Sequence, residues 1–262
     1  KLKKHKNTAI VAVSLVCIIV LGVFGYNRFI APRLEMNDGD YSNYINSNGI
    51  TEFVIPDGVT EIKVDAFNSC TSLESVIIPD SVTVIGESAF EGCSAVINLT
   101  IGINVTTIGD RAFSLCINIT IIIIPDSVTE IGDYAFYGCN NLTNINIPNK
   151  VQIIQERTFS YCHKLKIVKF KAASLLKQIK SSAFRYCNSL KEIALPKRLE
   201  IIEEYAFADC SKLTKVVIPS SVYKIADNAF DKSNNVVIYT IEGSYALEFA
   251  VKNNIQYVII TK

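Results

Sequence analysis

The chain has little of what a catalytic site needs. Only two histidines occur, His5 and His163, and no cysteines stand in a close C-x2-C pair. His163 directly follows Cys162, and adjacency in sequence does not make a nucleophile–base pair. No Gly-rich phosphate loop is present, and no acid, base or nucleophile stands apart as unique. The chain therefore does not read as an enzyme, and no catalytic residue, metal site or cofactor is expected. A net charge of +1 leaves no global field to draw in nucleic acid. Tryptophan is absent and Met36 is the single methionine; the hydrophobic share, 49%, is conspicuously Val and Ile. Such residues suit strands buried on at least one side.

The N-terminus is the one long apolar run. Residues 1–7, KLKKHKN, form a basic tail, and residues 8–26, TAIVAVSLVCIIVLGVFGY, carry no charge. That length fits a short membrane-spanning helix, whose backbone polar groups bond to one another. The preceding lysines predict a cytosolic tail, with residues 27–262 extracytoplasmic at a cell membrane. A cleaved signal peptide, with Val23-Phe24-Gly25 near the cut, is the competing reading and would give a secreted product. Cys17 lies mid-span between Val16 and Ile18, without the small neighbours of a lipid-attachment site, and reads as apolar filler.

Beyond it the chain repeats itself. IPDSVTVIGESAFEGC at 78–93 returns as IPDSVTEIGDYAFYGC at 124–139. The repeat phenylalanines are Phe67, Phe90, Phe113, Phe136, Phe159, Phe184, Phe207 and Phe230. The step is 23 residues, except 25 between Phe159 and Phe184, where two extra residues fall within 170–179. A period this short predicts a solenoid, in which each coil buries its apolar face only against its neighbours. Within a period, runs such as Leu73, Val76, Ile78 or Leu142, Ile145, Ile147 predict a short strand with one face inward. Proline commonly closes it, where a missing N–H costs least. A smaller pair, Val82/Ile85 or Val128/Ile131, predicts a second, shorter strand on the opposite side. Gly-acid-x-Ala-Phe-x-x-Cys follows, and its acids (Glu87, Asp110, Asp133, Glu156, Glu204, Asp227) sit where a helical turn would start, as caps.

These columns resemble the BspA-like leucine-rich repeats, whose signature is IPxSVTxIGxxAFxxC. The likeness covers roughly residues 50–240. Gly102 and Lys171 stand where the proline is expected, and Ser233 replaces the last cysteine. The resemblance implies a β-rich leucine-rich-repeat solenoid, a right-handed coil with parallel strands and short helical turns, here preceded by a transmembrane helix. It also implies adhesion or host-surface interaction for some members. The expected organisation is a tail (1–7), an anchor (8–26), a linker and N-terminal cap (27–49), repeats (50–240) and a C-terminal cap (241–262). In the cap a helix near 243–253 and a strand near 255–260 would cover the last coil.

Cys70, Cys93, Cys116, Cys139, Cys162, Cys187 and Cys210 form one column. Spread over successive coils, they do not converge on a metal, and their odd number would leave one outside any set of disulfides. They read as small buried thiols packing between coils. Four Asn-x-Thr sequons, from Asn98, Asn104, Asn118 and Asn141, read as by-products of the repeat.

The outward strand positions are the candidate ligand-binding face. Ile77, Ile97, Ile121 and Ile123 place apolar side chains on neighbouring coils, and Lys166, Lys169, Lys191 and Lys215 form a basic stretch further along. Nine strands at about 4.8 Å give a face roughly 40 Å long. That is room for a protein or an extended glycan rather than a small molecule. The expected function is a surface-anchored domain with an adhesion-type interaction. The alternative is the ectodomain of a receptor or sensor with an upstream cytosolic module.

Overall fold

The computed structural model describes residues 42–47 and 49–261. The basic tail and the expected span at 8–26 lie outside the described residues, as does most of the linker. Among the described residues no helix is long and apolar enough to cross a membrane.

The repeats form a solenoid of stacked coils held by parallel pairing. One ladder contains β1 (Glu52–Val54), β3 (Ser75–Ile77), β5 (Asn98–Thr100), β8 (Asn144–Ile147), β10 (Ile167–Phe170), β12 (Glu192–Ala194), β14 (Lys215–Val217), β16 (Val237–Thr240) and β17 (Gln256–Ile259). A second ladder, with no pairing between β7 and β9, contains two-residue strands: β2 (Glu61–Ile62), β4 (Val84–Ile85), β6 (Thr107–Ile108), β7 (Glu130–Ile131), β9 (Ile153–Ile154), β11 (Gln178–Ile179), β13 (Ile201–Ile202) and β15 (Lys224–Ile225). Every pairing is parallel, and equivalent repeat positions face each other, as in Phe53↔Val76↔Leu99 and Ile193↔Val216↔Ile238. The alternation in the sequence sets this register, because a one-residue slip would turn the buried Val76 out to solvent.

The first ladder breaks twice. No ladder pairing joins β5 to the next coil, where Ile121 makes a single bridge to Asn144, and none joins β10 to β12. The second break follows the coil that is two residues longer.

The core is a column of rings. From Phe67 to Phe230 successive repeat phenylalanines lie 4.9–5.6 Å apart, with planes within 2–11° of parallel. Phe53 closes one end edge-on against Phe67 at 5.1 Å, and Phe249 closes the other at 6.2 Å from Phe230.

The third side differs from the helical turn expected. From Asp65 (φ 59°) to Tyr205 (φ 56°), the residue before each Ala-Phe adopts a left-handed backbone, and so does the residue before each cysteine, as at Ser69 and Tyr161. Left-handed residues cannot propagate a right-handed helix. They turn the phenylalanine N–H out of its own coil, so that Phe90 donates to the Ala112 carbonyl at 2.8 Å and Phe113 to that of Ala135 at 2.8 Å. The acids, accordingly, do not cap a helix in their own coil. Asp110 Oδ1 accepts from the Asp133 N–H at 2.8 Å, and Asp133 Oδ1 from that of Glu156 at 2.9 Å, so each stitches the next coil on.

The ends are closed by short helices. In α1 (Ser42–Ser47), Ile45 is buried and the Asn46 amide donates to the Ser69 carbonyl at 2.8 Å. In α2 (Tyr245–Lys252), the Ser244 hydroxyl accepts from the Leu247 N–H, and Ala246, Phe249 and Ala250 are buried. Strand β17 extends the ladder beside β16 and is exposed at all four residues.

Candidate functional site

The first ladder presents three rows of outward residues. Ladder pairing and the repeat step put Glu74, Ile97, Thr120, Thr143, Lys166 and Lys191 in one row. A second row holds Glu52, Ser75, Asn98, Ile121, Asn144, Ile167, Glu192 and Lys215, and a third holds Ile77, Thr100, Ile123, Asn146 and Lys169. Ile97, Ile121 and Ile123 are 50%, 57% and 76% exposed, while Ile77 is at the margin with 36%. Lys166, Lys169 and Lys191 are exposed, and Lys215 is half-buried.

The two ladder breaks make this face uneven. At the first, a groove of about 440 Å³ is lined by Leu99, Ile101, Ile103, Ile123 and Pro125 among others. At the second, a groove of about 450 Å³ is lined by Ile167, Ile193, Val217, Lys166, Lys169 and Lys215. Of the candidate residues, Ile123 lines the first cleft and Lys166, Lys169 and Lys215 line the second. Lys215 lies 3.8 Å from Glu192 and 5.2 Å from the centre of the Tyr239 ring. Lys166, Lys169, Lys191 and Glu74 form no ion pair among the described residues.

Two features were missed by the sequence reading. The net charge of +1 hides a gradient: residues 50–163 hold thirteen acids and four bases, whereas residues 164–215 hold twelve bases and five acids. A count per coil would have found it. The second is a Tyr/Arg strip along the turn side. Arg111 and Arg157 lie 5.0 and 5.3 Å from the Tyr134 ring centre, and Arg185 lies between Tyr186 and Tyr205 at 4.9 and 5.2 Å. Tyr137, Tyr161 and Tyr186 continue it ring to ring at 5.3 and 4.5 Å. Arg185 also bonds Asp209 at 2.9 Å, and that bond holds its pKa above the ordinary value. Tyr161 and Tyr186 take left-handed backbone at φ 62°, where Gly92 and Gly138 stand in other coils. The cost for an L-residue there is roughly 1–2 kcal/mol. Only stacking of coils brings these residues together.

The cysteine column is buried, and six of its thiols donate to a phenylalanine carbonyl one coil back, from Cys93 to Phe67 at 3.0 Å through Cys210 to Phe184 at 3.1 Å. Burial pushes the Cys139 and Cys210 thiols up to about 12 and also raises Cys116, Cys162 and Cys187. These are protonated packing groups, not nucleophiles. The His163 ring nitrogen Nδ1 lies 3.1 Å from the Tyr186 carbonyl and holds the neighbouring coil in place.

A stack of parallel-stranded coils with a broad exposed strand face defines a leucine-rich-repeat scaffold. A family model described as BspA type leucine rich repeat region (6 copies) matches residues 40–166 and 106–237, and the chain belongs to that family. No curated protein matches the chain. Among solved structures, the leucine rich repeat protein of T. pallidum is 23% identical, covering 82% of this chain and 88% of its own, with a TM-score of 0.53. A leucine-rich repeat protein from Bacteroides ovatus is 22% identical over 82% of this chain and 85% of its own, at a TM-score of 0.41. The pneumococcal vaccine antigen PcpA is 16% identical over 81% and 80%, at 0.37. Such solenoids typically serve as binding scaffolds, and the match indicates no enzyme family.

Proposed function

We propose that the chain is the extracytoplasmic, membrane-anchored binding domain of an adhesion-type surface protein, engaging a protein or glycan through its strand face. The observation that carries this reading is the exposure of Ile97, Ile121 and Ile123 on neighbouring coils. Strand propensity also places aliphatics at such positions, and it is their exposure together on neighbouring coils that supports an interaction surface here. The lysines beyond them act differently: exposed charges steer encounter and set its salt dependence.

The test uses cells displaying the full chain, measured for attachment to immobilised matrix proteins and glycans. Ile121→Thr with Ile123→Thr keeps β-propensity and removes apolar area, so folding should survive and attachment should weaken. Lys169→Glu with Lys191→Glu should slow association and change its salt dependence. Attachment unchanged in both double variants would move the binding site to another surface. Protease added to intact cells should digest the repeats and spare residues 1–7; protected repeats would overturn the proposed topology.

A further inference from the structure

We propose that the strand face binds a second copy of this chain, coil order reversed, about a two-fold axis parallel to the strands. The proposal rests on the strand face being the binding face and names one partner for it.

Two charge pairs are complementary under that operation, while the exposed isoleucines meet polar side chains: Ile97 faces Lys166, Ile121 faces Asn144 and Ile123 faces Asn146. An axis parallel to the strands flips the face and reverses the coil order, while keeping each row over itself. Placed between the coils of Thr120 and Thr143, it sets Glu74 opposite Lys191 and Ile97 opposite Lys166. In the next row it sets Glu52 opposite Lys215, which already lies 3.8 Å from its own Glu192, and in the third Ile77 opposite Ala194 and Val54 opposite Val217. The remaining charges meet neutral residues, Lys169 opposite Thr100 and Glu192 opposite Ser75, so no two like charges are directly opposed. The contact is isologous, with each complementary pair made twice, and it closes on itself.

Two further observations favour this occupant. Glu74 and Lys191 are exposed and form no ion pair among the described residues, so both charges are open to a partner. On the strand face itself the gradient is Glu52 and Glu74 in the early coils against Lys166, Lys169, Lys191 and Lys215, with Glu192, in the later ones. A polyanion would be drawn to one half and repelled by the other, whereas a reversed copy satisfies both.

The size of the face sets the strength. Eight coils at about 4.8 Å by three residues of strand give a plane of roughly 35 by 10 Å. That buries only about 700 Å² over the two partners, below the range of stable specific interfaces, so the association should be weak, concentration-dependent and salt-sensitive.

The test is a co-purification of full-length chains carrying two different tags. The parent should associate at low salt and lose at least tenfold of that association at high salt. Glu74→Lys and Lys191→Glu should each abolish it, because either change opposes like charges twice. Mixing the two variants should restore association to the parental level, since Lys at 74 then meets Glu at 191 and the untouched pair remains. This recovery shows that both variants are folded. Both retain residues 8–26, so association through that segment would ignore charge and salt alike. A mixture no tighter than either variant alone overturns the proposal, as does parental association insensitive to salt and to both reversals. If self-association fails while Ile121→Thr/Ile123→Thr still weakens attachment to a foreign surface, the strand face stands and the second copy does not. If neither responds, the strand face itself is wrong.

Discussion

The Ser233 hydroxyl donates to the Phe207 carbonyl at 2.7 Å, the bond that Cys210 makes to Phe184 at 3.1 Å one coil earlier. The last member of the column has changed its atom and kept its role. Ser233 also accepts from the Cys210 N–H at 2.8 Å, a second bond between the coils.

The column should therefore tolerate a donor and resist a bulkier side chain without one. Cys139→Ser keeps a donor for the Phe113 carbonyl and should stay within about 1 kcal/mol of the parent. Cys139→Val removes the donor and crowds a fully buried site, costing about 1–3 kcal/mol. Urea unfolding measures both, and a valine variant as stable as the serine one would show that the thiol bond contributes nothing.

The raised thiol pKa values make stability fall in alkali. Above the ordinary thiol value of 9.0 the unfolded chain loses its thiol protons, while native Cys139 and Cys210 keep theirs until about 12. The unfolded state then binds fewer protons, so stability declines as pH rises through that window, with a slope approaching about 1.4 kcal/mol per pH unit for each such thiol. Urea midpoints across the window should fall less steeply in Cys139→Ser with Cys210→Ser, because serine does not titrate there. An unchanged slope would show that other groups carry the alkaline loss.

Phe136 lies between Phe113 at 5.6 Å and Phe159 at 5.4 Å, fully buried. Phe136→Ala should cost about 3–5 kcal/mol. Because coils are held only by their neighbours, amide exchange should quicken in the coils on both sides. Exchange confined to the mutated coil would contradict the picture of a cooperative stack.

Gly132 owes its place to the coil before it. A Cβ there would sit 2.3 Å from Asp110 Oδ1 and 2.5 Å from the Asp110 nitrogen. Since the second obstacle is backbone, Gly132→Ala must spread the two coils and should cost about 1–3 kcal/mol. A thermal melt unchanged from the parent would mean that the coils separate freely here.

The repeat, its period and the buried columns are legible in the order of amino acids alone. Each follows from local rules applied many times over: alternation fixes which residues of a strand face inward, and recurrence fixes which side chains meet. Val76 is placed inside by alternation, as are Leu142, Ile145 and Ile147, and all four are buried. Whatever depends on the distance between coils had to wait for their stacking. The acids read as caps of their own turns, yet Asp110 serves the amide of Asp133, because a left-handed turn points N–H groups across the coil boundary. The ladder breaks beside Ile121 and after Phe170 have no residue of their own, since pairing is a property of two strands together. The Tyr134–Arg157 and Tyr161–Tyr186 contacts join residues 23 and 25 apart in the chain, and only stacking of one coil on the next makes them neighbours.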